Sequence, residues 1–81
     1  MTNAAAPLRL FTVYFNPCDY PGRFVVRGFT IAGAAAAPDE VPIYVGDSKL
    51  GARRAILHVM PGAVRFERHA ADEAQILEVW L

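Results

Sequence analysis

The sequence predicts an α+β fold: a mainly antiparallel sheet of four to five strands with one helix packed on one face. Three observations lead to this prediction. Short runs of aromatic and β-branched residues, typical of strands, alternate with loops rich in proline, glycine and aspartate. One longer run repeats its apolar positions at helical spacing instead. Hairpin-length links join the first two and the last two predicted strands, which favours antiparallel pairing in the order β-β-β-α-β-β.

Three strands are predicted in the first half of the chain. Residues 8–15 and 24–31 are aromatic and β-branched, and the loop between them holds two prolines and a glycine, which end strands. Residues 33–40 are small and marked by a proline, so we expect a connection there. Residues 41–45 then form a third, shorter strand, in which Pro42 suits an edge position because it has no N–H to donate.

The helix is predicted over residues 49–60. Asp47 or Ser48 can cap its start, and the Pro-Gly pair that follows residue 60 ends it. Arg54 and His58 lie on the polar side of this helix. The apolar residues that share the opposite side are Ala52, Ala55, Ile56, Val59 and Met60.

Two strands follow the helix, over residues 64–69 and 75–81, and a hairpin loop joins them. The first seven residues are small and polar, so residues 1–7 are predicted to be a disordered tail. Residues 8–81 then form a single α+β domain.

Composition argues against several classes of protein. Eight basic residues balance eight acidic ones, which leaves no basic excess to neutralise the phosphates of a nucleic acid. The single cysteine, Cys18, allows no intrachain disulfide and no cysteine-rich zinc site. The apolar run at residues 31–38 is far shorter than the ~20 residues that cross a membrane. Because the start also lacks the pattern of a signal peptide, we expect a cytoplasmic protein with no membrane partner.

Alternation along the strands divides their side chains between two faces of the sheet. The aliphatic sets are assigned to a core face under the helix, and the other face then holds aromatic and charged residues. The candidate binding residues on this second face are Tyr14, Arg27, Phe29, Tyr44 and Trp80. It also holds Thr12, Arg65, Glu67, His69 and Glu78.

A face rich in aromatic residues and arginine has two interpretations. Cross-strand aromatic and ion pairs stabilise antiparallel sheets without any ligand. The same residue types are enriched at protein interfaces, and the simplest partner is a second copy of the chain. We therefore expect a small non-enzymatic binding or interaction module, homodimeric through this face or bound to another protein. The alternative is a single-stranded nucleic-acid binder that stacks bases on the aromatics, although the neutral charge argues against it.

A small enzyme or enzyme subunit is the second alternative. A nucleophilic cysteine needs an activating base, and no motif ties Cys18 to His58 or His69. The histidines lack the spacing of metal ligands, and residues 45–48 lack the spacing of a phosphate-binding loop. We therefore expect no cofactor and no metal, and the sequence identifies no catalytic residue.

Two segments are similar to a known group of proteins. The run YPGRFVVR at residues 20–27 and the ending EVWL at residues 78–81 resemble the YPxxFVVR and EVWL patterns of a group of short bacterial proteins. The similarity covers most of the chain from Tyr14 onward. The group brings no known activity, cofactor or partner, so the resemblance implies a bacterial, cytoplasmic, stand-alone domain.

Overall fold

The computed structural model describes residues 8–67 and 75–81, which form an antiparallel sheet with one helix packed against it. The α+β fold predicted from the sequence is therefore confirmed. The elements in this part of the chain are β1 (Leu8–Phe15), β2 (Phe24–Ala32), β3 (Ala35–Pro38), β4 (Tyr44–Gly46), α1 (Lys49–Val59), β5 (Arg65–Glu67) and β6 (Ile76–Trp80). The tail predicted at residues 1–7 lies outside the described residues.

The strands form one sheet in the order β3-β2-β1-β6-β5. Strand β4 also pairs with β2, at the start of that strand, whereas β3 pairs with its end. Every pairing among the described strands is antiparallel. The two longest strands, β1 and β2, therefore form the centre on which the shorter strands are built.

Strand β3 lies within the stretch that the sequence predicted to be a connection. Alanine is depleted in strands, so three alanines and a proline carry no strand signal of their own. Pairing with the last four residues of β2 places them in the sheet, after a turn in which Gly33 has a φ of 60°. Glycine adopts this left-handed conformation without the steric cost that a Cβ brings.

Helix α1 begins as the sequence predicts. Ser48 is its N-cap, and the Ser48 hydroxyl accepts a hydrogen bond of 3.0 Å from the Gly51 N–H. Ala52 and Ile56 are fully buried, whereas Val59 is exposed at the end of the helix. The core formed under the helix consists of Phe11, Val13, Val26, Ala52, Ile56 and Trp80.

The strand register defines the two faces of the sheet, because directly paired residues on antiparallel strands point to the same face. The helix-side face is the one under α1, and it includes the pairs Phe11–Trp80, Val13–Glu78 and Val26–Tyr44. The other face, here called the open face, includes the pairs Leu10–Phe29, Thr12–Arg27, Tyr14–Val25, Val25–Val45 and Phe66–Val79. Within the described part of the chain, the only helix packs on the helix-side face.

Helix α1 has 11 residues and carries charged side chains. Among the residues that the structure describes, no helix has both the length and the apolar character needed to cross a bilayer.

Candidate binding site on the open face

The five candidate binding residues are divided between the two faces. Tyr14, Arg27 and Phe29 lie on the open face, as the sequence predicted. The face prediction is wrong for Tyr44 and Trp80, which lie on the helix-side face. The candidate surface therefore has to be rebuilt from the residues that the open face presents.

The same correction applies to the charged residues of β5 and β6. Arg65, Glu67 and Glu78 were expected beside the aromatics, but the register places all three on the helix-side face. The prediction assigned the aliphatic sets to the core face, which left these charged residues for the other face. Burying a lone charge is costly. The helix removes that cost here, since it supplies the partner for Glu78. His69 lies outside the described residues.

Arg53 is the partner that sequence reasoning missed. Its guanidinium donates to both carboxylate oxygens of Glu78, with Nε 3.2 Å from Oε1 and 3.1 Å from Oε2. Trp80 donates its indole N–H to the same carboxylate at 3.1 Å. Burial raises the pKa of Glu78, but the hydrogen bonds from Arg53 and Trp80 outweigh it and hold the pKa below its ordinary value. Glu78 therefore stays ionised inside the core as a structural group.

Tyr44 is fixed on the helix-side face by two glycines. Its hydroxyl and ring approach the backbone of Gly46 in β4 and of Gly51 in the first turn of α1 so closely that neither position has room for a Cβ. Tyr44 also packs against the buried core. The aromatic ring predicted to contact a ligand thus joins the helix to the sheet.

The open face is mainly apolar. Phe66 is 50% exposed, and Leu8 and Val45 are also exposed there. Leu10, Phe29, Ile31 and Val79 are half-buried on the same face. Among the described strand residues of this face, Arg27 is the one that carries a charge. Thr12 and Val25 are buried on this face, so it is only partly exposed. An apolar sheet surface that no helix covers among the described residues is characteristic of an interaction surface.

Arg27 is held by three groups from two loops. Its Nη1 donates to the backbone carbonyl oxygens of Asp39 at 2.6 Å and Glu40 at 3.2 Å. Its Nη2 donates to Oδ2 of Asp19 at 3.1 Å. Arg27 therefore ties the loop between β1 and β2 and the segment after β3 to the open face.

The loop between β1 and β2 is itself ordered by local hydrogen bonds. Asn16 has a φ of 58° and Gly22 a φ of 73°, both in the left-handed region that asparagine and glycine tolerate. The Asn16 side chain accepts a 2.7 Å hydrogen bond from the Gly22 N–H, and the Asn16 N–H donates to the Arg23 carbonyl. This closes the loop at its base and positions Asp19 near Arg27.

A pocket of about 200 Å³ lies between this loop and the open face. Val25 and Tyr14 contribute from the strands, Pro17 and Asp19 from the loop, and Arg27 from β2. Two of the candidate binding residues, Tyr14 and Arg27, thus line one concave site. Asp19 and Pro17 were not among the candidates, although the proline-rich loop that contains them was visible in the sequence.

The arginines are mostly neutralised within the chain. The described arginines that pair with carboxylates are Arg9, Arg23, Arg27, Arg53 and Arg65. Arg9 makes two 2.9 Å hydrogen bonds to Asp39, and they hold the pKa of that carboxyl below its usual range. Little positive charge is therefore left on the described surface to attract an anionic polymer.

The remaining candidates for chemistry are not among the residues that line this pocket. Cys18 is exposed on the loop between β1 and β2, and His58 is exposed in the last turn of α1. In residues 8–67 and 75–81, no group of three or more histidine, cysteine, aspartate or glutamate side chains is placed to hold a metal ion.

No family model, curated protein or solved structure matches this chain. The interpretation of the site therefore rests on its own geometry.

Proposed function

We propose that this protein is a non-enzymatic interaction module that self-associates through the open face. The observation that carries the proposal is the apolar, partly exposed surface formed by Leu8, Leu10, Phe29, Ile31, Val45, Phe66 and Val79. Within the described residues, no helix covers it. Covering such a surface removes apolar area from water and so favours association.

The size of the face suits a dimer. Strands lie ~4.8 Å apart and rise ~3.3 Å per residue, so the 32 residues of the six described strands span roughly 500 Å² in projection. Exposed side chains add to this projected area, and each partner of a standard interface contributes ~800 Å². The whole chain exposes 5406 Å², so a minority of the surface is enough.

The charge distribution favours a second copy as the partner. A two-fold interface brings the same patch of each copy together. Arg27 is already paired with Asp19 and with two carbonyl groups, so two open faces meet without strong repulsion between like charges. The pairing of most described arginines with carboxylates supports a protein partner over a nucleic acid.

A cytoplasmic location belongs to the same proposal. Cys18 is an exposed free thiol, and the cytoplasm is the compartment that keeps such thiols reduced.

A matched pair of variants tests self-association. Val45→Asp places a charge on the open face, and Val59→Asp places the same charge at the end of the helix, where valine is exposed to a similar degree. In sedimentation equilibrium, we expect the unmodified chain and Val59→Asp to dimerise and Val45→Asp to weaken the dimer at least tenfold. A monomeric unmodified chain, or equal effects of the two substitutions, would contradict the proposal.

A further inference from the structure

We propose that the pocket on the open face binds an alkyl guanidinium or alkyl ammonium group, the chemistry of an arginine or lysine side chain, with Asp19 as the carboxylate partner. This inference goes beyond self-association, because it assigns a ligand to the pocket itself. It rests on three features of the pocket: an incompletely used carboxylate, an arginine whose charge is already engaged, and apolar walls.

The incompletely used carboxylate is Asp19. It pairs with Arg27 through Oδ2 alone, at 3.1 Å, while 57% of the Asp19 side chain remains exposed. Among the described residues, Oδ1 of Asp19 accepts no hydrogen bond. A carboxylate offers about four lone-pair sites, so Asp19 can bind a second cation at the mouth of the pocket without releasing the first.

Arg27 is a poor site for an anionic ligand. One side-chain nitrogen faces two carbonyl oxygens, and another faces Asp19. Only 19% of the Arg27 side chain is exposed. An anion would have to displace Asp19 and then lie close to that displaced carboxylate, whereas a cation meets Asp19 in its existing position.

The walls of the pocket match an aliphatic stem. Val25 and Pro17 are apolar, and the Tyr14 ring adds an aromatic surface that attracts cations. Long cationic side chains bury their methylene stems and keep the charged head near water. The volume of about 200 Å³ is below the ~300–1,000 Å³ of sites for drug-sized ligands, so it fits one side chain better than a larger molecule.

A titration followed by NMR tests this site, with N-acetyl-L-arginine amide as the probe. We expect saturable shifts of the backbone amides of Tyr14, Asp19 and Val25. Asp19→Asn keeps the shape of the side chain and removes its charge, and it should weaken binding at least fivefold. The matched control is Asp47→Asn, since Asp47 is also paired with an arginine but is 83% exposed and does not line the pocket; it should leave binding unchanged.

Two further probes complete the test. Propionate that shifts the same amides as strongly as the arginine probe would overturn the proposal, as would an equal loss of affinity in Asp19→Asn and Asp47→Asn. Free L-arginine distinguishes the source of the ligand: equal affinity for the free and capped forms indicates recognition of a side chain, and tighter binding of the free form indicates a small molecule. The titrations use a dilution at which sedimentation shows one species, so failure here leaves self-association untouched.

Discussion

The indole N–H of Trp80 donates a 3.1 Å hydrogen bond to the carboxylate of Glu78, two residues earlier on the same strand. The two residues share the helix-side face, where Trp80 is 7% exposed and Glu78 is 2% exposed. Arg53 reaches the same carboxylate from α1. A charged group thus lies in the core of an 81-residue chain, and its partners join the helix to the sheet.

Glu78→Gln should destabilise the fold and make its free energy of unfolding less dependent on pH in the acid range. Because the pKa of Glu78 is lowered in the folded state, its ionisation stabilises the fold above the ordinary value of about 4.5, and this contribution is lost as the pH falls through the folded pKa. Glutamine leaves Arg53 without its ion pair, so we expect a loss of about 2–3 kcal/mol at pH 7. Denaturant titrations at pH 7 and near pH 3 measure both effects.

The difference between Glu78→Gln and the unmodified chain should shrink at the lower pH. Below the ordinary value of about 4.5 the unfolded chain takes up a proton at Glu78, and this reduces the stability that the ionised carboxylate provides. A difference that stays constant between the two pH values would show that the charge of Glu78 does not stabilise the core.

Trp80→Ala should unfold the domain rather than weaken an interface. Truncating a buried tryptophan costs about 3–5 kcal/mol, which is a large part of the stability of a small domain. Trp80→Phe keeps most of the packing and removes the hydrogen bond to Glu78, so we expect a smaller loss of about 1.5–3 kcal/mol. Thermal unfolding followed by circular dichroism ranks the variants, and an alanine variant as stable as the unmodified chain would contradict the placement of Trp80.

Gly51→Ala should destabilise the fold. This runs against helix propensity, because alanine stabilises a helix by ~1 kcal/mol relative to glycine. A Cβ at this position would lie 2.5 Å from the Tyr44 hydroxyl oxygen and 2.9 Å from Cζ of the same ring. We expect a net loss of about 1–2 kcal/mol, since overpacking forces the ring to move. Gly62→Ala is the control, because no atom lies within 4 Å of a Cβ there. Equal stability of the two variants in denaturant titrations would contradict the close packing of Tyr44 against Gly51.

Gly28→Ala should disturb the ion pair between Arg9 and Asp39. A Cβ at position 28 would lie 2.5 Å from Arg9 Nη2 and from Asp39 Oδ2, and 3.1 Å from the Phe11 ring. We expect a loss of about 1–2 kcal/mol. In a double-mutant cycle with Asp39→Ala, the cost of Gly28→Ala should fall, because the displaced partner is already gone. Strictly additive effects would show that position 28 does not limit this ion pair.

The central elements of the fold could be predicted because their signals are local. Strand β1 has the predicted bounds, β2 extends the prediction by one residue, and Ser48 caps α1. These features depend on β-branched and aromatic composition, helical periodicity and a capping side chain. The predicted strand over residues 41–45 is shortened and shifted to Tyr44–Gly46, because only these residues pair with β2, the one described strand that β4 pairs with.

The face of the last strands could not be predicted because it depends on a distant partner. Alternation in β6 correctly predicts that Glu78 and Trp80 lie on the same side of the strand. It does not determine which side of the strand faces the helix. The polarity of Glu78 suggested the solvent side, and only the position of Arg53, 25 residues earlier, makes burial favourable. Three of the five candidate residues, those in β1 and β2, were therefore placed on the correct face, and Tyr44 and Trp80 were not.

The central claim is that two copies meet through the open face, and contacts between copies test it most directly. In an equimolar mixture of isotopically labelled and unlabelled chains, filtered NOE spectra record only contacts between molecules. We predict such contacts at Phe29, Phe66 and Val79 on the open face. Contacts confined to exposed residues of the helix, such as Leu57, or a mixture that shows none at concentrations well above the dimer dissociation constant, would contradict the account.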